Sequence, residues 1–254
     1  MEEPSQEKLV DLLGQYQAGR LDKAEALASA LVSDFPEHQF GWKVLGAVLK
    51  RAGRIEESLV SMRRSAQLMP DDAEAQSNLG VTLLELGRLE EAAKNLVQAV
   101  KLRPDFSEAH YNLGATLHQL GKLEDAEAAY EQAIMLEPNY AEAYNNLGNI
   151  LQEFGKLDAA EVNYRRAILL KPDYVDGHYN LGISGQKQGR LADAEVSFLQ
   201  VLKLRPNHAE AQNNLANTLL DLGRLSEAEE SAMQAVASRP EYADAYYNLG
   251  NIVR

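Results

Sequence analysis

Proline recurs every 34 residues along this chain, and no other feature of the sequence constrains the fold as strongly. The series is Pro36, Pro70, Pro104, Pro138, Pro172, Pro206 and Pro240. Glycine keeps the same step, and each of these glycines is followed by Arg or Lys and then by Leu or Ile: Gly19, Gly53, Gly87, Gly121, Gly155, Gly189 and Gly223. A third series is Leu45, Leu79, Leu113, Leu147, Leu181, Leu215 and Leu249. Three series in step, without an insertion, show an internal repeat.

Each repeat predicts two helices separated by a glycine turn. In residues 141–174, Leu147 and Ile150 share one face of a first helix, and Ala160 and Tyr164 share one face of a second. Glycine between them can take a positive φ without steric cost, and proline after the second helix cannot continue a helical ladder. One such hairpin cannot cover its own apolar faces, so consecutive hairpins are expected to stack.

The pattern "AYNNLG…GKLDAAEVNYRRAILLKPD" resembles the tetratricopeptide repeat. The resemblance implies an all-α, right-handed superhelical solenoid whose first helices line a concave groove. It predicts one domain over residues 1–254, and the units are about 5–38 (an atypical cap), 39–72, 73–106, 107–140, 141–174, 175–208, 209–242 and a partial 243–254. The chain stops inside a first helix, so we expect either a longer protein or a covering partner.

Composition excludes several classes of function. There is no cysteine, which rules out disulfides, thiolate metal sites and cysteine nucleophiles. A net charge of -13 argues against nucleic acid as a partner. The N-terminus lacks the basic and apolar regions of a secretory signal, and no apolar stretch is long enough to cross a bilayer. We therefore expect a soluble, cytoplasmic chain without membrane insertion.

One asparagine per repeat is the leading candidate for a binding site. The series is Asn78, Asn112, Asn146, Asn180, Asn214 and Asn248. Asparagine is unfavourable inside a helix by roughly 0.5 kcal/mol relative to alanine, so its repetition requires a compensating role. On a helical wheel Glu142, Asn146, Asn149 and Glu153 form one stripe away from the core face. A carboxamide offers both a donor and an acceptor, so a row of them can hold an extended polypeptide by its backbone.

This asparagine ladder resembles the asparagine-lined groove in the repeat region of O-linked N-acetylglucosamine transferases, where such side chains grip substrate proteins. The resemblance implies that role for the six asparagines and implies no transferase activity. An alternative is that each amide bonds a backbone carbonyl of the neighbouring repeat and fixes the stacking angle. Both interpretations can hold together.

Residues beside the ladder suggest the kind of partner. Tyr111, Tyr179 and Tyr247 precede the asparagine in alternate repeats, and aromatic side chains are favoured interface anchors. Acidic residues start the first helices; the candidates among them are Glu108, Glu142 and Asp176. They favour a protein or extended peptide that is neutral to basic. The alternative is that these carboxylates only stabilise the positive ends of helix dipoles.

No catalytic constellation is present in the sequence. The five histidines are not spaced as metal ligands, and the glycines around Gly185 lack the lysine of a phosphate loop. We expect no catalytic, cofactor-binding or metal-binding residue and interpret the chain as a non-catalytic protein-interaction scaffold. One alternative is a substrate-recruiting arm preceding a glycosyltransferase, sulfotransferase or oxygenase domain. Another is a scaffold that self-associates through an uncapped C-terminal face, formed by Tyr246, Leu249, Ile252 and Val253.

Gly185 predicts a soft point in the repeat array. Its counterparts in other repeats are Leu49, Leu83, Leu117, Leu151 and Leu219. Glycine lacks the burial of leucine and is worse than alanine by about 1 kcal/mol inside a helix. The alternative is neutral drift in a tolerant repeat.

Overall fold

The computed structural model describes residues 3–253, and in that range every regular element is an α-helix. Two compact units divide the chain, one up to Leu136 and the other from Glu137 onward. The helices of the first unit are α1 (Gln6–Gln17), α2 (Leu21–Asp34), α3 (Gln39–Arg51), α4 (Ile55–Leu68), α5 (Ala73–Glu85), α6 (Leu89–Leu102), α7 (Ser107–Gln119) and α8 (Leu123–Leu136). Those of the second are α9 (Ala141–Glu153), α10 (Leu157–Leu170), α11 (Val175–Lys187), α12 (Leu191–Leu204), α13 (Ala209–Asp221), α14 (Leu225–Ser238) and α15 (Ala243–Ile252).

Within each unit the helices form a stack of antiparallel hairpins, as the repeat predicts. A first helix, with an odd label, packs most closely on the second helix that follows it, and that second helix packs on the next hairpin. First helices also contact one another, as α5 does α7 and as α11 does α9 and α13. The fold is therefore an all-α repeat solenoid, in which contacts join neighbours along the chain.

The turns have the stereochemistry that the sequence predicts. All seven glycines of the turn series have φ between 70° and 77°, and no other described residue has a positive φ. Before each proline the chain leaves the helix: α4 ends at Leu68, and Met69 lies outside the helical region with φ -134° and ψ 80°. A residue that precedes proline is excluded from the helical region by the proline ring, so the second helix must stop there.

The core of each hairpin depends on small residues at the helix crossing. The alanine series Ala92, Ala126, Ala160, Ala194 and Ala228 is fully buried. The glycine of the first helix faces a large side chain of the second, as Gly148 faces Tyr164 and Gly182 faces Phe198. At the corresponding place in α13 and α14 the pair is Ala216 and Ala232, both fully buried. The sizes of the two facing side chains are thus matched, so that together they fill the space between the helices.

No helix among the described residues combines the length and the apolar character needed to span a membrane.

Candidate binding surface on the first helices

The asparagine ladder lies on the first helices of both units, and all six side chains are half-buried. We call the surface that these helices present in each unit the first-helix face. On it the asparagine alternates with core residues such as Leu147, which is buried. The amides are therefore accessible in part, which suits both contact with a partner and bonds within the stack.

In the second unit three ladder asparagines bond the repeat before them. The Nδ2 atom of Asn180 donates to Oδ1 of Asn145 at 3.0 Å, and that of Asn248 donates to Oδ1 of Asn213 at 2.8 Å. The Nδ2 atom of Asn214 donates to the hydroxyl of Tyr179 at 3.1 Å. The expected alternative of bonds to backbone carbonyls is wrong in detail, because each acceptor is a side chain. That acceptor stands one position before the ladder residue of its own repeat.

The sequence analysis missed these acceptors, although the sequence carries the signal. The position before the ladder asparagine holds a residue with a hydrogen-bonding oxygen in six consecutive repeats: Ser77, Tyr111, Asn145, Tyr179, Asn213 and Tyr247. An asparagine amide group and an acceptor 35 residues before it make the link between adjacent first helices. Only the stacking of the helices reveals that these two positions meet.

The carbonyl oxygens of three of these amides are not used inside the second unit. Among the residues that the structure describes, none donates to Oδ1 of Asn180, Asn214 or Asn248. In the first unit, the side-chain amides of Asn78 and Asn112 make no hydrogen bond to any described residue. Asn146 accepts from Nδ2 of Asn145 at 3.3 Å.

The tyrosines beside the ladder differ in exposure. Tyr247 is 71% exposed, whereas Tyr111 and Tyr179 are half-buried. The ring of Tyr111 packs on Tyr130, and the ring of Tyr179 packs on Phe198, with centroids 5.9 Å and 6.0 Å apart. Burial raises the pKa of the Tyr179 hydroxyl, so it stays protonated and keeps a donor while it accepts from Asn214.

The carboxylates of the first-helix face are partly neutralised by cations 29 residues later. Glu142 accepts from Nζ of Lys171 at 3.0 Å, and Glu74 lies 3.5 Å from Arg103. Burial is the largest influence on Glu142 and opposes its ionisation, but the Lys171 hydrogen bond, a backbone hydrogen bond and the charge of Lys171 together outweigh burial and lower the pKa of that carboxyl. Glu108 and Asp176 are exposed, and neither has an ion-pair partner among the described residues. These two are the predicted carboxylates that remain available to a basic ligand.

Asn149, which shares the predicted stripe, has a role in the core. Its Oδ1 accepts a hydrogen bond of 2.9 Å from the hydroxyl of Tyr164, whose side chain is fully buried. A buried hydroxyl without a hydrogen-bond partner costs free energy, so this hydrogen bond stabilises the buried position of Tyr164 in the hairpin core. The amide group of Asn149 can still donate outward.

The predicted C-terminal face divides into covered and exposed parts. Ile252 is buried and Leu249 partly buried, both in the core of the second unit. Tyr246 is 50% exposed and Val253 is 58% exposed. Self-association through this face stays a prediction.

The histidines have structural contacts instead of a common site. Nε2 of His110 lies 3.0 Å from the carbonyl oxygen of Pro104, and His178 makes the same contact with Pro172 at 2.9 Å. His208 accepts from the backbone N–H of Ala211 at the start of α13. No group of three His, Asp or Glu residues with metal-binding geometry occurs in the part of the chain that the structure describes.

Comparison with protein families decides the classification. Family models described as tetratricopeptide repeat match residues 45–96, 141–174, 179–235 and 213–254, and one described as TPR repeat matches residues 82–121 and 116–155. The chain belongs to the tetratricopeptide repeat family. A comparison with curated proteins finds no match.

Solved tetratricopeptide repeat structures resemble this chain in fold. A chain of the APC/C hetero-tetramer Cut9–Hcn1 aligns with a TM-score of 0.78 at 19% identity, over 99% of this chain and 49% of that one. This protein thus spans about half of that chain. PilF of Pseudomonas aeruginosa aligns with a TM-score of 0.74 at 15% identity, over 84% of this chain and 97% of that one. YrrB, described as a TPR protein with an unusual peptide-binding site, aligns with a TM-score of 0.62 at 21% identity, over 73% and 96%.

Proposed function

We propose that this tetratricopeptide repeat protein is a non-catalytic scaffold that binds extended peptide segments of protein partners on its first-helix faces. The observation that supports the proposal is the ladder of six half-buried asparagines on successive first helices, three of which, Asn180, Asn214 and Asn248, have carbonyl oxygens that accept nothing from the described residues. The description of YrrB, a protein of the same fold, as having a peptide-binding site supports the same class of function.

The hydrogen bonds within the second unit suit the ladder to a backbone ligand. Because Nδ2 of Asn180, Asn214 and Asn248 is held by the preceding repeat, the three amides share one orientation. Each Oδ1 can then accept from a main-chain N–H of the ligand, and the second N–H of each amide can donate to a main-chain carbonyl. Amides oriented before binding lose less side-chain freedom when the ligand arrives.

The expected ligand is a neutral to basic segment. Glu108 and Asp176 are exposed and form no ion pair with a described residue, and each lies in the first turn of a first helix, four residues before a ladder asparagine. Lysine or arginine on a ligand would meet these carboxylates at an exposed surface, so binding should weaken as salt rises.

The test compares two pairs of asparagines. Asn78→Ala with Asn112→Ala removes amides that make no internal hydrogen bond, so peptide affinity should fall without loss in the free energy of unfolding. Asn180→Ala with Asn214→Ala also removes bonds between repeats, and about 0.5–1.5 kcal/mol of stability should be lost for each. Calorimetric titration of unstructured neutral and lysine-containing peptides measures affinity, and urea titration measures stability.

A matched control uses asparagines of the second helices. Asn95→Ala with Asn163→Ala removes amides that donate only to carbonyls of their own helices, at 2.8 Å and 2.9 Å. This variant should keep the affinity of the parent protein. If the Asn78→Ala, Asn112→Ala variant binds the peptides as tightly as the parent protein does, the asparagine ladder is not the peptide-binding site.

A further inference from the structure

A second surface, separate from the first-helix faces, has the chemistry of a binding site. It is a groove of about 830 Å³ in the first unit, open to solvent between the second helices α6 and α8. Leu113 and Leu117 of α7 form its floor, and the rim carries Lys94, Lys101 and Lys122. We call it the lysine groove.

The walls of the lysine groove consist of short, apolar side chains. Ala93 and Val97 stand one helical turn apart on α6, and Ala128 and Ala129 face them from α8. In three other second helices the position of Ala128 holds a larger apolar residue, Val60, Val162 or Val196, whereas α2 also has an alanine there, Ala26. Small residues on α8 thus open the space, and they would let the backbone of an incoming helix approach closely.

The three lysines at the rim are exposed, and no described carboxylate lies within ion-pair distance of any of them. Some lysines elsewhere are paired, as Lys43 is with Glu74 and Lys171 with Glu142, and others, such as Lys23 and Lys203, are not. Three unpaired cations thus lie around one groove in a chain whose net charge is -13. Glu90 and Asp125 also line the groove, so cations outnumber anions there by three to two.

We propose that the lysine groove binds an amphipathic helix of a partner protein, with apolar side chains on the face that enters and acidic side chains on its flanks. Leu113, Leu117 and Val97 would take the apolar face, in the way that helix-in-groove complexes bury anchors at successive turns. Lys94, Lys101 and Lys122 would pair with the acidic flanks, because charge complementarity steers and orients such a ligand. A helix fits better than an extended strand, since the walls are helices and offer no unpaired backbone groups.

The proposal goes beyond the peptide binding proposed for the first-helix faces and does not depend on it. The two surfaces differ in the charge and the shape of the ligand that they favour. Asn78→Ala with Asn112→Ala should therefore leave binding at the lysine groove unchanged.

The probe is a synthetic acidic helix of about 18 residues, with leucines on one face and glutamates on both flanks, blocked at its ends. Fluorescence anisotropy against the full chain should show saturable binding that weakens with salt. Lys94→Glu with Lys101→Glu should weaken binding about tenfold or more, since it turns attraction into repulsion. Ala128→Trp, an exposed position, should block the groove and abolish binding without unfolding the chain.

The controls decide between a site and general charge attraction. Lys23→Glu with Lys203→Glu changes two exposed lysines that also lack an ion pair and lie outside the groove, and it should leave the affinity within about twofold. Four results would each overturn the proposal: no saturable binding, equal weakening by both lysine pairs, unchanged binding after Ala128→Trp, or equal binding of a peptide with lysine in place of every glutamate.

Discussion

At the scale of single residues, the contact between Gly148 and Tyr164 shows how a hairpin accommodates a large aromatic core residue. A Cβ atom on Gly148 would lie 2.5 Å from Cε1 of Tyr164, closer than atoms can approach. The repeat with Ala216 and Ala232 shows the opposite solution, in which both residues are small. The residue pair, more than either residue alone, therefore determines how closely two helices approach.

Gly148→Ala should destabilise the protein although alanine is the better helix former. The overlap with Tyr164 should cost about 1–3 kcal/mol, more than the roughly 1 kcal/mol gained in helix propensity. Gly148→Ala combined with Tyr164→Ala should cost less than the sum of the two single changes, because the smaller side chain relieves the overlap. Free energies of unfolding from urea titration measure both effects.

Gly14→Ala is the matched control, since a Cβ there meets nothing within 4 Å. It should stabilise the chain by up to about 1 kcal/mol. Strict additivity of Gly148→Ala and Tyr164→Ala would contradict the size-matching explanation.

At the scale of elements, a recurring hydrogen bond links five of the first helices to the turn before them. A side chain six residues after the proline bonds the proline carbonyl, although its type changes: Trp42 at 2.8 Å, Gln76 at 3.0 Å, His110 at 3.0 Å, His178 at 2.9 Å and Gln212 at 2.8 Å. The shared property is a ring or amide nitrogen that can donate. This bond gives a donor to a backbone carbonyl of the turn, which has no helical partner of its own.

His110→Ala should lower the free energy of unfolding by about 0.5–1.5 kcal/mol, because the carbonyl of Pro104 loses its donor. His110→Gln should stay close to the parent protein, since Gln76 and Gln212 make the same bond in their own repeats. Urea titration of the three proteins is the measurement. Equal stability of the alanine and glutamine variants would show that the bond contributes nothing.

At the scale of the whole molecule, stability is distributed along the chain because contacts join neighbouring helices. Each helix can then open with a free energy set by its own packing and that of its neighbours. Helix α11 has Gly177, Gly182 and Gly185 within it, more glycines than α9 or α13. A Cβ on Gly185 would lie 3.3 Å from the backbone nitrogen of Ala194, so the backbones of α11 and α12 approach closely there.

Amide hydrogen exchange should be faster in α11 than in α9 and α13, because its glycines weaken the helix and bury little apolar surface. One contact opposes this weakness: Nε2 of Gln188 donates to the carbonyl of Leu157 at 3.2 Å. Gln188→Ala should therefore accelerate exchange in α11 further. Equal protection of the three helices from exchange in the parent protein would contradict the prediction that α11 is locally less stable than α9 and α13.

The sequence by itself determined the hairpins, the turns and the core faces. Proline and glycine act through local stereochemistry, and the apolar spacing acts within one helix, so both can be recognised in 34 consecutive residues. The six ladder asparagines could be placed on the first helices for the same reason. Their role as a grip for peptides stays a prediction.

Only the tertiary structure decided which atoms remain available to a partner. Asn180 meets Asn145, and Glu142 meets Lys171, because stacked helices bring residues 35 and 29 positions apart into contact. The lysine groove likewise exists because α7 packs on both α6 and α8, and alanines of α8 line the space between those two helices. Helical periodicity assigns a side chain to a face, but the acceptor, the counter-ion and the open space come from another helix.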